Sequence, residues 1–221
     1  MTRGSSPEAL TVVWQSASLL LGYPDVELMD RLDLIRRAAD GLPGPLGNPI
    51  RATVTALRKA SLADLEAEYV ATFDDRRRHC LFLTYFAHGD TRKRGMALLR
   101  FQQAYAAAGF QLNADTTSGR ELPDHLCVVL EYAATIDRDG GRTLLMDHRA
   151  GLELLRIALT ERGSRWAGAV QAVTATLPPL RGNERDAIAR LAAQGPPVEE
   201  VGLSPYGSPT LLPMPSFPGG R

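Results

Sequence analysis

The sequence predicts an all-α protein, built as a single-domain helical bundle. Three observations carry that expectation. Apolar residues recur at spacings of three and four along most of the chain. Capping residues and Gly or Pro signals punctuate those stretches at helix-length intervals. No alternating β-branched run of strand length appears. The 221 residues, 44% hydrophobic and 23% charged, suffice to bury a core without disulfide or metal staples.

Ser6-Pro7 reads as an N-cap with proline at the first helical position. Leu10, Val13, Ala17 and Leu20 follow on one stripe until Gly22 and Pro24 stop the helix. Asp25 caps a second helix with Met29, Leu32, Ile35 and Ala39 inward. The stretch 41–49, GLPGPLGNP, reads as a loop, with Asn48-Pro49 restarting a helix. Ser61 and Asp64 form a capping-box-like start for Leu62, Leu65, Tyr69 and Phe73.

Gly89 and Gly95 are expected to flank a turn. A long helix is expected from about Met96 to Ala108, with Leu98, Phe101, Tyr105 and Ala108 inward and Gly109 ending it. Residues 113–122 are polar and read as a linker or mobile loop. Pro123 opens a helix carrying Leu126, Val129, Leu130 and Ala133, and Gly140-Gly141 are expected to break it. Leu144–Leu159, Trp166–Leu177 and Glu184–Ala193 complete the helical pattern, the last capped by Asn183. The expected division is a helical domain over 1–195 and a Pro/Gly-rich tail over 196–221, extended or disordered by composition.

Composition also bounds function. The formal net charge is zero, which argues against a chain whose main task is coating nucleic acid. Two cysteines, Cys80 and Cys127, stand outside any C-x-x-C pair, as expected in a reducing compartment. The first apolar run, Ala9 to Leu21, is interrupted by Thr11, Gln15, Ser16 and Ser18 and falls short of the roughly 20 apolar residues that span a bilayer. It has no basic leader and no A-x-A-like cleavage site. A cytoplasmic protein without direct membrane insertion is the expectation.

Histidines 79, 88, 125 and 148, with Asp90 and Asp124 beside two of them, raise a metal-dependent phosphohydrolase as an alternative. Yet no H-x-x-x-H or H-E-x-x-H spacing places two ligands on one helical face. There is no G-x-S-x-G elbow, Walker A loop or dinucleotide fingerprint. Neither a metal, a cofactor nor an enzymatic activity is expected.

What remains is RRRHCLFLTYFAHGDTRKRG (76–95), in which two basic clusters bracket aromatics. Asp74, Asp75 and Asp90 offset much of that charge. A nucleic-acid regulator would need a broader positive face. Arginine beside aromatic rings is the composition of protein interfaces, and fits a groove that grips an amphipathic helix.

The run YVATFDDRRRHCLFLTYFAHGDTRKRGMALLRFQQAYAAAGF (69–110) resembles the signature of NarJ-type nitrate reductase molybdenum cofactor assembly chaperones. ELPDHLCVVLEY (121–132) is similar to the second motif of the wider redox-enzyme maturation chaperone group, which includes the trimethylamine oxide reductase chaperones. WQSASLLLGYPD (14–25) and GPPVEEVGL (195–203) are similar as well, whereas the chain after Leu203 matches no pattern of that family.

The resemblance implies a bundle of the redox-enzyme maturation chaperone type and a non-catalytic function. Its partner would be the apo catalytic (alpha) subunit of respiratory nitrate reductase, held by its N-terminal peptide while the molybdenum cofactor is inserted. The expected groove draws on the 69–105 region and the 123–130 helix. Candidate apolar contacts are Tyr69, Phe73, Tyr85 and Phe86. Arg76, Arg78, Arg92 and Arg94 would meet acidic or carbonyl groups, while Asp74, Asp90 and Asp124 fix those arginines or meet basic ones. His88 and His125 are expected as hinge or hydrogen-bonding groups. A monomer or weak homodimer is expected.

Overall fold

The structure, a computed structural model, describes residues 6–74, 76–111 and 122–194. Pro7–Leu21 (α1) is capped by Ser6, whose hydroxyl accepts from Ala9 N. Val26–Asp40 (α2) is capped by Asp25 through Leu28 N. Both caps supply an acceptor to first-turn amides that otherwise have none. Gly44–Leu57 (α3) and Leu62–Tyr69 (α4) follow, the latter capped by Ser61. Next come the short Tyr85–His88 (α5) and the long Arg92–Ala107 (α6). Leu126–Thr135 (α7), Arg138–Asp147 (α8), Arg149–Glu161 (α9), Ala167–Ala175 (α10) and Gly182–Gln194 (α11) complete the order.

Helix α1 is the axis of the bundle. Buried residues lie around most of its circumference, which is the mark of a central helix. It packs on α7 on one side and on α10 and α3 on the other. Trp14, with no exposure, donates its indole N–H to Thr176 Oγ1 at 3.0 Å. Ser18 donates to the Cys127 carbonyl of α7 at 2.9 Å. A hydroxyl on an inward face is tolerated because it finds that acceptor. Tyr69 reaches back from α4 to the Leu21 carbonyl at 2.8 Å, tying the end of α1 to the next segment. One cluster of buried apolar residues runs from Ala9 to Leu177 through these helices.

Several boundaries depart from the sequence expectations. α3 begins at Gly44, inside the stretch read as a loop, because Leu46 and Ile50 bury on the same face. α6 begins four residues before Met96 and carries Gly95 within it, while Ala108 lies exposed at its end. α7 begins at Leu126; Pro123 sits in the preceding turn. Gly140 and Gly141 do not break a helix but open α8, which Asp137 caps through the amides of Asp139 and Gly140. At Gly141 the missing side chain permits close packing: a Cβ there would lie 2.3 Å from Ala133 Cβ. The stretch 144–159 divides at His148, between α8 and α9. Asn183 lies inside α11 rather than before it. The tail over 196–221 and most of the polar 113–122 stretch lie outside the described residues.

Among the described residues, no helix is long and apolar enough to cross a membrane.

Candidate functional site

Local geometry after Tyr69 sets up the site. The helix widens into a π-turn over Val70–Asp74, then a 3₁₀ turn follows at Arg77–His79. His79 Nδ1 lies 2.9 Å from the Thr72 carbonyl. A carbonyl only accepts, so Nδ1 carries the proton. This bond closes the loop between the two turns. It also engages His79 in the fold rather than leaving it open as a ligand.

The two stretches that carry the resemblance then meet. Leu83 N donates to the Asp124 carbonyl at 3.0 Å, and Leu126 N donates to the Leu81 carbonyl at 2.8 Å. These bonds form an isolated antiparallel bridge between Phe82 and His125. The His125 ring meets Phe82 edge-on, with centroids 5.1 Å apart.

Beneath the bridge lies a buried polar cluster. Asp124 has no exposure, and its Oδ2 accepts from Thr84 N at 3.2 Å and from the Thr84 hydroxyl. Arg94 Nε donates to that same hydroxyl oxygen at 3.2 Å, and its Nη2 lies 3.7 Å from Asp124 Oδ2. Arg94 also pairs with the exposed Asp90 at 3.2 Å. Its guanidinium covers the rings of Phe82 and Tyr85, at 5.2 and 5.9 Å from the centroids. Asp124 Oδ1, His125 Nδ1 and Arg94 Nη2 make no hydrogen bond.

Burial lowers the His125 pKa, with Asp124 opposing. Cys80 is half-buried beside this group, and desolvation pushes its thiol up to about 11.

A second feature is an apolar cleft between α9 and α11. Phe86 of α5, Leu154, Ile157 and Ala158 of α9, and Leu191 and Ala192 of α11 line it. Arg78 and Glu161 stand there with opposite charges. The cleft encloses about 130 Å³. Small-molecule pockets usually run to about 300–1,000 Å³, so this space suits an anchoring side chain better than a cofactor. Phe86 is held against α9 because residue 151 is glycine: a Cβ there would come 2.8 Å from Phe86 Cβ.

Nine of the thirteen sequence-predicted residues therefore separate into three places, and four lie outside them. Arg78 and Phe86 meet at the cleft. Tyr85, Asp90, Arg94, Asp124 and His125 gather around the bridge. Tyr69 and Phe73 pack against Trp166, at centroid distances of 5.6 and 5.5 Å, within the core. Asp74, Arg76 and Arg92 are exposed, and His88 is half-buried with its pKa lowered chiefly by desolvation.

The α9 and α11 sides of the cleft were missed by sequence reasoning. The available signal was a second apolar edge on α9. Leu154, Ile157 and Ala158 repeat at helical spacing beside the core stripe of Leu152, Leu155 and Leu159. Among the described residues, no group of three or more His, Cys, Asp or Glu side chains is placed to hold a metal ion.

Comparison with known proteins places this arrangement in a family. The chain is 41% identical over 166 residues to the nitrate reductase-like protein NarX of Mycobacterium tuberculosis, covering 75% of this chain but 24% of that protein. It thus spans about a quarter of that relative's length. It is 33% identical over 153 residues to the Escherichia coli nitrate reductase molybdenum cofactor assembly chaperone NarJ, covering 68% of this chain and 63% of NarJ. A solved structure from Archaeoglobus fulgidus, described as a redox enzyme maturation protein, superposes with a TM-score of 0.51 at 25% identity, covering 78% of this chain and 94% of that one. Residues 39–172 match the nitrate reductase delta subunit family, and that span contains the bridge, the buried Asp124 and most of the cleft; the chain belongs to this family.

Proposed function

We propose that this chain is a non-catalytic assembly chaperone for respiratory nitrate reductase. It binds the N-terminal segment of the apo catalytic subunit and holds that subunit in the cytoplasm. The molybdenum cofactor is inserted there, before the subunit docks on its membrane partner. The bound segment is an amphipathic helix seated over the α9–α11 cleft. The chain takes up no cofactor of its own and binds neither nucleic acid nor the bilayer interior. It acts as a monomer or weak homodimer through a helical domain ending near residue 195.

The observation that carries this reading is the meeting of Arg78 and Phe86 at an open apolar cleft. An apolar floor with charged groups beside it is the complement of an amphipathic helix. Phe86 and Ile157 supply the floor, while Arg78 and Glu161 select the charges flanking the client's apolar stripe. The chaperones among its relatives support the choice of client. Holding and then releasing a client calls for micromolar to nanomolar affinity, about 8–12 kcal/mol.

The test is a capture experiment with purified chain and apo catalytic subunit. Capture of the full subunit, and its loss when the subunit's first residues are deleted, is the expected result. Equal capture of both forms would place the contact elsewhere on the client.

A further inference from the structure

We infer that the outward face of α6 is a second docking surface, distinct from the α9–α11 cleft, that takes an acidic amphipathic helix of a partner polypeptide. Inward, α6 buries Phe101 and Tyr105, and Tyr105 donates to the Pro123 carbonyl at 2.6 Å. Its other side faces solvent. Met96 is 68% exposed and Leu99 45% exposed, three positions apart on one face of the helix.

They are not scattered. Met96, Leu99, Gln103 and Ala106 follow a three–four–three spacing, the seam by which one helix lies along another. Lys93 and Arg100, both exposed, fall together on one side of that seam, the position that sets partner charge in paired helices. Gly95 and Ala106 are small and let a partner backbone approach.

Charge selects the occupant. The helix RKRGMALLRFQQAYAA holds four basic residues and no acidic one; Arg94 turns inward to Asp124, while Arg92, Lys93 and Arg100 are exposed. Pairing with a second copy of α6 would oppose two acid-free helices. A lipid surface is a poorer fit: surface-lying helices present several bulky or aromatic residues, whereas this face has Met96 and Leu99 followed by Gln103 and alanines. A helix with an apolar seam and Glu or Asp beside it satisfies both the spacing and the charge.

The experiment uses the full chain and two labelled designed helices of about three heptads. Both have a leucine seam; one carries glutamate flanks and the other lysine flanks. Fluorescence anisotropy is expected to show binding of the glutamate helix, with the lysine helix weaker by about tenfold or more. The double variant Met96→Asp/Leu99→Asp is expected to lose about tenfold or more in affinity for the glutamate helix. Its melting temperature should fall only slightly, because neither side chain belongs to the buried core. The charge-swapped variant Lys93→Glu/Arg100→Glu, which leaves the apolar seam intact, is expected to reverse the preference toward the lysine helix.

Equal binding of the two helices, or no response to either variant, overturns the proposal. So does a concentration-dependent dimer, or cosedimentation with phosphatidylglycerol vesicles, that disappears in the double variant while the glutamate helix fails to bind. The double variant should still bind the catalytic subunit's N-terminal peptide. The two surfaces therefore stand or fall separately.

Discussion

Arg94 places its guanidinium 3.7 Å from the carboxylate of Asp124, a side chain with no exposure to solvent. The contact joins α6 to the turn before α7, thirty positions along the chain. Thr84 sits between them, donating its hydroxyl hydrogen to Asp124 and accepting from Arg94 Nε. The cluster is therefore a mechanical tie between the 82–94 segment and the turn that precedes α7. Removing one member strands the others in a dry environment. Asp124→Ala is expected to cost about 3 kcal/mol, because it leaves Arg94 without its buried counter-charge. Asp124→Asn should cost less, since an amide oxygen still accepts from Thr84. Urea denaturation of both variants, with Arg94→Met alone and combined with Asp124→Asn, gives the coupling. Strictly additive losses would show that the pair acts independently.

Gly151 fixes the floor of the cleft. Alanine at this position gains about 1 kcal/mol of helix propensity over glycine. Its Cβ would meet Phe86 Cβ at 2.8 Å, and displacing a ring from a packed site costs about 1–3 kcal/mol. Gly151→Ala is thus expected to destabilise the fold by roughly 1 kcal/mol and to weaken peptide binding. Denaturation midpoint and peptide titration are read on the same preparation. A more stable variant with unchanged binding would show that Phe86 moves aside freely.

Cys80 should be a slow thiol. Burial beside the Arg94–Asp124 cluster raises its pKa to about 11, so little thiolate exists near neutral pH. Alkylation by iodoacetamide near neutral pH is expected to be much slower in the folded chain than in denaturant. Equal rates in the two states would mean that this segment opens readily.

Stability should fall on mild acidification. Desolvation holds His79, His88 and His125 below their ordinary pKa of 6.5. Below that pH the unfolded chain binds protons that the folded chain refuses, so acid favours unfolding. The stability contribution is complete above pH 6.5 and is lost as the pH falls below it. A lower melting temperature at about pH 5.5 than at about pH 7.5 is expected. His125→Gln should reduce the difference. A melting temperature that rises toward pH 5.5 would mean that the folded state stabilises imidazolium.

Most of the bundle was legible because its helices announce themselves locally. Ser6, Asp25 and Ser61 cap where the sequence places them. Errors arose where tertiary contact overrides a local signal. Gly140-Gly141 reads as a break, yet it serves a cap and a close helix crossing. The Pro/Gly-rich stretch before Pro49 reads as loop, yet burial of Leu46 draws it into α3. The aromatic and basic residues of 69–94 were visible as a group, but their division was not. Whether a tyrosine faces the core, as Tyr69 does, depends on Trp166, nearly a hundred positions away. The α11 wall of the cleft carried no signal, because Leu191 and Ala192 become site residues only when α11 lies on α9.

The most direct test of the chaperone reading is calorimetric titration of the purified chain with the N-terminal peptide of the apo catalytic subunit. Ile157→Asp is run in parallel, since Ile157 is half-buried and lines the cleft. A single site of micromolar or tighter affinity is predicted, weakened by about 2 kcal/mol or more in the variant. No heat of binding, or identical affinity in the two proteins while both remain folded, would contradict the account.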